Sequence, residues 1–242
     1  MNSTQSVSRQ REILVGLLEK IREEKNRDNL SLISSIYEAL LYNGYEMEIY
    51  DGNILREYLK RPIYRHGQFT QDYWNKTGNS SDWRSFINYR PININQPNID
   101  TVFTAYLNQI ISSDDLLNEF NQYFNVSYLK GILLTNKVLK GGSLEEYKAH
   151  FGEGPANDLE NKKNLEIVRR NKRKFKSDDP VVLILDVKNI PELSYKVFEI
   201  DTETYYKKNF SEIDDKLDLD GLIPEKFFKI SYAHKKHHQH TE

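Results

Sequence analysis

The chain has 242 residues, with 34 Lys and Arg against 36 Asp and Glu and no cysteine. The net charge of −2 excludes the globally basic balance of a dedicated nucleic-acid coat, and the missing cysteine excludes disulfides, thiolate metal sites and a cysteine nucleophile. Aromatic residues make up 12%, too many for a disordered chain, and the length suffices for a core that needs no cross-links.

Residues 1–12 are polar, and the first apolar run, Ile13 to Leu18, is short and interrupted by Gly16. Nothing approaches the roughly 20 apolar residues that span a bilayer, so the expected compartment is the cytoplasm, with export that reads no cleavable signal left open. Ile13, Leu14, Leu17, Leu18 and Ile21 fall on one helical stripe, and Leu30, Ile33, Ile36, Tyr37, Leu40 and Leu41 on a second. The second stripe meets Asn43-Gly44, a pair suited to ending a helix because Gly accepts the left-handed conformation. Asp51 is placed to cap a short third helix carrying Ile54, Leu55, Tyr58 and Leu59, which Pro62 stops.

Residues 63–99 have weak periodicity and many Tyr, Trp, Asn, Gly and Ser, and the prolines and asparagines of Pro91 to Asp100 predict a loop. A stretch this long without regular structure is usually functional or disordered, and Tyr64, Phe69, Tyr73, Trp74, Trp83 and Phe86 argue against disorder. Helices resume with Val102, Phe103, Tyr106, Leu107, Ile110 and Ile111. Ser113-Asp114-Asp115 opens another, with its acids where the helix dipole favours them, and Tyr128, Leu129, Ile132 and Leu133 mark one more. Residues 144–176 are charged and partly helical. Val181 to Val187 is the clearest strand, β-branched and introduced by Pro180. The alternation from Lys196 to Tyr206 predicts a half-buried strand, and Leu222 to Ala233 a last one. The fold class is therefore α+β, an N-terminal helical layer followed by a small mixed or antiparallel sheet. The expected division is a helical region 1–62, an α+β domain 63–233 and a His-rich tail 234–242.

Several constellations can carry chemistry. Glu199, Asp201 and Glu203 are spaced to share one face of a strand, where mutual repulsion would raise a pKa; a solvated edge strand has the same pattern. In Tyr64-Arg65-His66-Gly67, Arg65 beside His66 at a strand end can clamp a phosphate or simply pair with a carboxylate at the surface. Asp186-Val187-Lys188 matches half of a Mg²⁺-dependent nuclease pattern, with Asp158 or Glu166 as the upstream acid; it also suits a strand end where burial stops. Arg169, Arg170, Lys172, Arg173, Lys174 and Lys176 surround Phe175 and can hold nucleic-acid phosphates, contact an acidic partner surface, or be solvated. His234, His237, His238 and His240 form a flexible tract rather than a metal-site signature.

The order of these pieces resembles the ADP-ribosyltransferase superfamily in its toxin-like bacterial and phage branch. The resemblance runs from Tyr64-Arg65-His66-Gly67 through Gly142-Ser143, the apolar strand from Pro180 to Val187 and the acids Glu199, Asp201 and Glu203 to Gly221-Leu222-Ile223-Pro224-Glu225. It covers about residues 63–233. It implies NAD⁺ as a substrate held in a cleft between two small sheets, with Arg65, Tyr64 and Ser143 at the dinucleotide. It further implies that Glu203, or else Glu199, stabilises an oxocarbenium-like transition state while ADP-ribose passes to a macromolecular acceptor, protein or nucleic acid. Two alternatives stand beside it: the Mg²⁺-dependent nuclease built on Asp186 and Lys188, and a non-catalytic module that binds a nucleic acid or a partner protein.

Overall fold

A computed structural model describes residues 3–23, 30–78, 98–172, 175–176, 178–211, 213, 217–232 and 239–241. Trp83 and Phe86, Arg173 and Lys174, and His234, His237 and His238 lie outside these residues. The architecture is α+β. Helices α1 (Ser3–Glu23), α2 (Leu30–Met47), α3 (Gly52–Leu59), α4 (Gln71–Gly78), α5 (Ile99–Ile110), α6 (Asp114–Phe120) and α7 (Val126–Leu139) build the main body. Two short helices, α8 (Glu145–Phe151) and α9 (Glu153–Asn161), lead to strands β1 (Asn164–Ile167), β2 (Leu185–Lys188) and β3 (Glu192–Val197). Helix α10 (Thr202–Asn209) and strands β4 (Lys226–Ser231) and β5 (Gln239–Thr241) follow.

The core belongs to the helices. Leu14, Leu18 and Ile21 of α1 pack with Ile36, Leu40 and Leu41 of α2, Leu55, Tyr58 and Leu59 of α3, and Phe103, Tyr106 and Leu107 of α5. The buried stripe of α1 is narrower than its apolar pattern, because Ile13 and Leu17 face outward. The helix starts follow their caps. Asp51 accepts from the Asn53 N–H, Asn98 from the Asp100 N–H and Ser113 from the Leu116 N–H, each satisfying a first-turn amide.

Gly44 does not end α2. A side chain there would run into the Tyr106 hydroxyl, so this glycine allows close helix packing inside α2, which continues to Met47. The residue that ends the helix is Glu48, in the left-handed region at φ +53. Its N–H reaches Tyr45 O and that of Ile49 reaches Gly44 O, the bond pair that closes a helix when the following residue is left-handed.

The three-stranded sheet has the order β1-β2-β5, antiparallel throughout, with Glu166 opposite Asp186 and Val187 opposite His240. The predicted strand from Val181 to Val187 forms only at its end. Val181, Val182 and Leu183 are exposed, and Ile184 donates its N–H to the Asn171 side chain instead. β3 and β4 make a separate two-stranded antiparallel sheet. Its register puts Leu193, Tyr195 and Val197 with Ile230 and Phe228 on one face, and the Tyr195 and Phe228 rings stack at 4.7 Å. The opposite face carries Ser194 and Lys196 and the Glu192–Lys229 ion pair at 2.8 Å.

Candidate functional site

Glu199, Asp201 and Glu203 do not line one face of a strand. β3 ends at Val197, and Asp201 is the N-cap of α10, accepting from the Glu203 and Thr204 N–H groups at 3.0 Å. Those bonds, led by the one from the Thr204 hydroxyl, hold the Asp201 carboxyl below the usual range. Glu203 lies in the first turn of α10 and pairs with Lys207 one turn on, while Glu199 is exposed in the link before the cap. Arg65 is exposed and donates to the Gln71 side chain at 3.0 Å. Tyr64 packs against the helical core, and Ser143 accepts from the Glu145 N–H at the start of α8. Among the described residues no hydrogen bond or ion pair joins Arg65 to Glu199 or Glu203.

The segment around Arg65 is irregular rather than a strand, and His66 explains its path. His66 is 3% exposed, with the rings of Phe69, Phe103, Phe124 and Tyr128 centred 5.4–5.9 Å away. Its Nδ1 accepts from the Gln68 N–H, and its Nε2 lies 3.6 Å from Asp100 without a hydrogen bond. Burial lowers its pKa below 6.5, against the opposing pull of Asp100. This histidine is a core residue that pins the segment to the body, not a phosphate ligand.

Within the basic run, Arg169, Arg170 and Lys172 are each engaged by other groups of the chain. Arg169 lies over the Tyr45 ring at 4.0 Å, donates to Tyr45 O and to the Tyr50 hydroxyl, and its N–H reaches Glu48 at 3.0 Å. Arg170 pairs with the other Glu48 oxygen at 3.4 Å, and Lys172 pairs with Asp179. Sequence reading missed Glu48, although an acid directly after an apolar helix, where Gly is usual, is a visible oddity. The joint borders a polar cavity of about 410 Å³ whose walls include Glu48, Glu166, Asp186, Arg169 and Arg170. Glu166 and Asp186 thus do meet, as the nuclease alternative requires, but Lys188 does not join them. Lys188 is 3% exposed, its ammonium donates to Leu159 O and Lys162 O at the end of α9, and burial lowers its pKa. Asp158 sits on α9. Among the described residues no group of three or more His, Cys, Asp or Glu side chains could hold a metal ion.

A larger groove, about 810 Å³, opens between α5, α7 and α8. Val126, Tyr128, Ile132 and Phe151 supply its apolar part, and Gln68, Thr104, Asn108, Asn125, Ser127 and Thr135 its polar part. Gly131 shapes it: a Cβ there would lie 2.7 Å from the Phe151 ring, so α8 comes this close only because α7 has no side chain at that position. None of the described groove-lining residues is charged, although 29% of the whole chain is. Nothing in the periodicity marks this groove; the one signal is a glycine in the middle of a helix.

With these positions known, comparison with other proteins decides the family. The profile described as the actin-binding protein F N-terminal domain matches residues 29–163, more than half of the chain. This chain belongs to the actin-binding protein F N-terminal domain family. A second profile of that protein, its first immunoglobulin-like domain, matches residues 193–242, which contain all of the β3–β4 sheet except Glu192. Actin-binding protein F of Dictyostelium discoideum is 25% identical over 212 residues, 85% of this chain. The chain spans 9% of that relative's length. No solved structure matches significantly.

Membership of the actin-binding protein F family overturns the resemblance to ADP-ribosyltransferases, with its fold, its toxin-like character and its group transfer. Arg65, Tyr64, Ser143, Glu199 and Glu203 thereby lose the reason for which NAD⁺ was expected beside them. The non-catalytic binding module fits the family better. Among the described residues no helix is long and apolar enough to cross a membrane.

Proposed function

We propose that this chain is a non-catalytic module that binds a protein partner, and that the partner is actin. The family match over residues 29–163 carries the reading, because the family and a curated relative are named for binding actin. Two features of the molecule support it. The ionisable groups first expected to do chemistry are exposed on separate elements or engaged in structural bonds, as with Glu203, Arg169 and Lys188. Among the described residues the lining of the large groove is uncharged and partly apolar, a surface suited to contact.

Co-sedimentation with filamentous actin tests the reading. The chain is expected in the pellet, saturating with filament concentration. A chain that stays in the supernatant at every filament concentration refutes it.

A further inference from the structure

We infer that the groove between α5, α7 and α8 is the surface that meets actin, and that it receives an apolar, uncharged patch of the filament. The inference rests on the reading of the chain as an actin-binding module and adds the place and chemistry of the contact.

The first observation is charge. Among the described residues the groove lining holds no Asp, Glu, Lys or Arg, in a chain where 29% of residues are charged. Depletion of charge around an apolar centre is what distinguishes the middle of a protein interface from ordinary surface. A charged patch of the partner would be desolvated there with nothing to pair with it, so the lining selects against one. The second observation is exposure. Val126 is 52% and Phe151 39% exposed although both lie beside a well-packed body, so the groove presents apolar area to water. The third is position: every lining residue falls within the segment 29–163 that defines the family.

The other surfaces make weaker claims. The basic run spends Arg169 and Arg170 on Glu48 and Lys172 on Asp179. The apolar face of β3–β4 belongs to the segment matching an immunoglobulin-like domain, outside residues 29–163.

A contact made through uncharged groups barely responds to ionic strength, whereas one made through exposed charges weakens as the screening length shrinks. The test is co-sedimentation of the full chain with filamentous actin at 50 and 300 mM KCl, comparing the unaltered chain with Val126→Asp and Ser127→Glu. Both substitutions place an acid in the first turn of α7, where the helix dipole favours it and the side chains are exposed, so the melting temperature is expected to hold. The expected result is binding that is nearly equal at the two salt concentrations and at least tenfold weaker in each variant. Unaltered binding by both variants, or loss of binding at 300 mM KCl, overturns the groove while leaving the actin reading in place. No sedimentation of the unaltered chain refutes that reading, and the groove falls with it.

Discussion

His66 illustrates how a residue type that invites a catalytic reading can be structural. Its ring sits among four aromatic rings, and its Nδ1 satisfies the Gln68 amide. Burial sets its folded pKa below the unfolded 6.5. Between those two values the unfolded chain binds the proton more readily, so stability is fully present above 6.5 and is lost as pH falls through the lowered pKa. The melting temperature is expected to drop between pH 7 and pH 5.5, and His66→Phe to flatten that slope even where it lowers the plateau. An unchanged slope in the variant would assign the pH dependence to other groups. Sequence alone supplies the neighbouring Arg, His and Gly but not which of them is enclosed. Enclosure comes from Phe103, Phe124 and Tyr128, residues 37 or more positions away.

At the scale of elements, local chemistry decided more than hydrophobic alternation. The pattern from Lys196 to Tyr206 alternates like a strand, yet Asp201-Thr202-Glu203-Thr204 is also a capping sequence with an acid in the first turn, and the cap won. α10 has eight residues, none of them buried, so packing adds little to it. Asp201→Ala is expected to loosen the first turn of α10 by removing its cap. The check is amide exchange, faster by roughly fivefold over Thr204–Lys208, with the helical body unchanged; equal exchange would mean that the cap is dispensable. The same reasoning explains what was legible. α3 could be read from Asp51 to Pro62 because cap, apolar spacing and stop signal agree. The strand from Val181 was only half right, because β propensity needs a neighbour to pair with, and Asn171 takes the Ile184 amide first.

At the scale of the molecule, the α+β class and the order of helices before sheet were legible, since long apolar stripes and a β-branched run are strong signals. The groove was not, because it is made by three elements brought together from residues 68 to 151. Nor was the joint between the helical body and β1, which rests on Arg169. Arg169→Ala removes the Tyr45 stack and the Tyr50 bond and leaves Glu48, 14% exposed, ion-paired among the described residues with Arg170 alone. The expected loss is about 1–3 kcal/mol. It should appear as lost exchange protection in β1 and β2 while the Leu55–Leu59 amides of α3 keep theirs; uniform loss would show that body and sheet open together.

Lys188 and Asn189 together make four hydrogen bonds to the carbonyls of Leu159, Glu160 and Lys162 at the close of α9. A pull along β2 therefore reaches the helices as shear across this clasp, before the short connection through Lys163 is stretched. Under load applied at the strands, that clasp sets where mechanical tension passes from the strands into the helices.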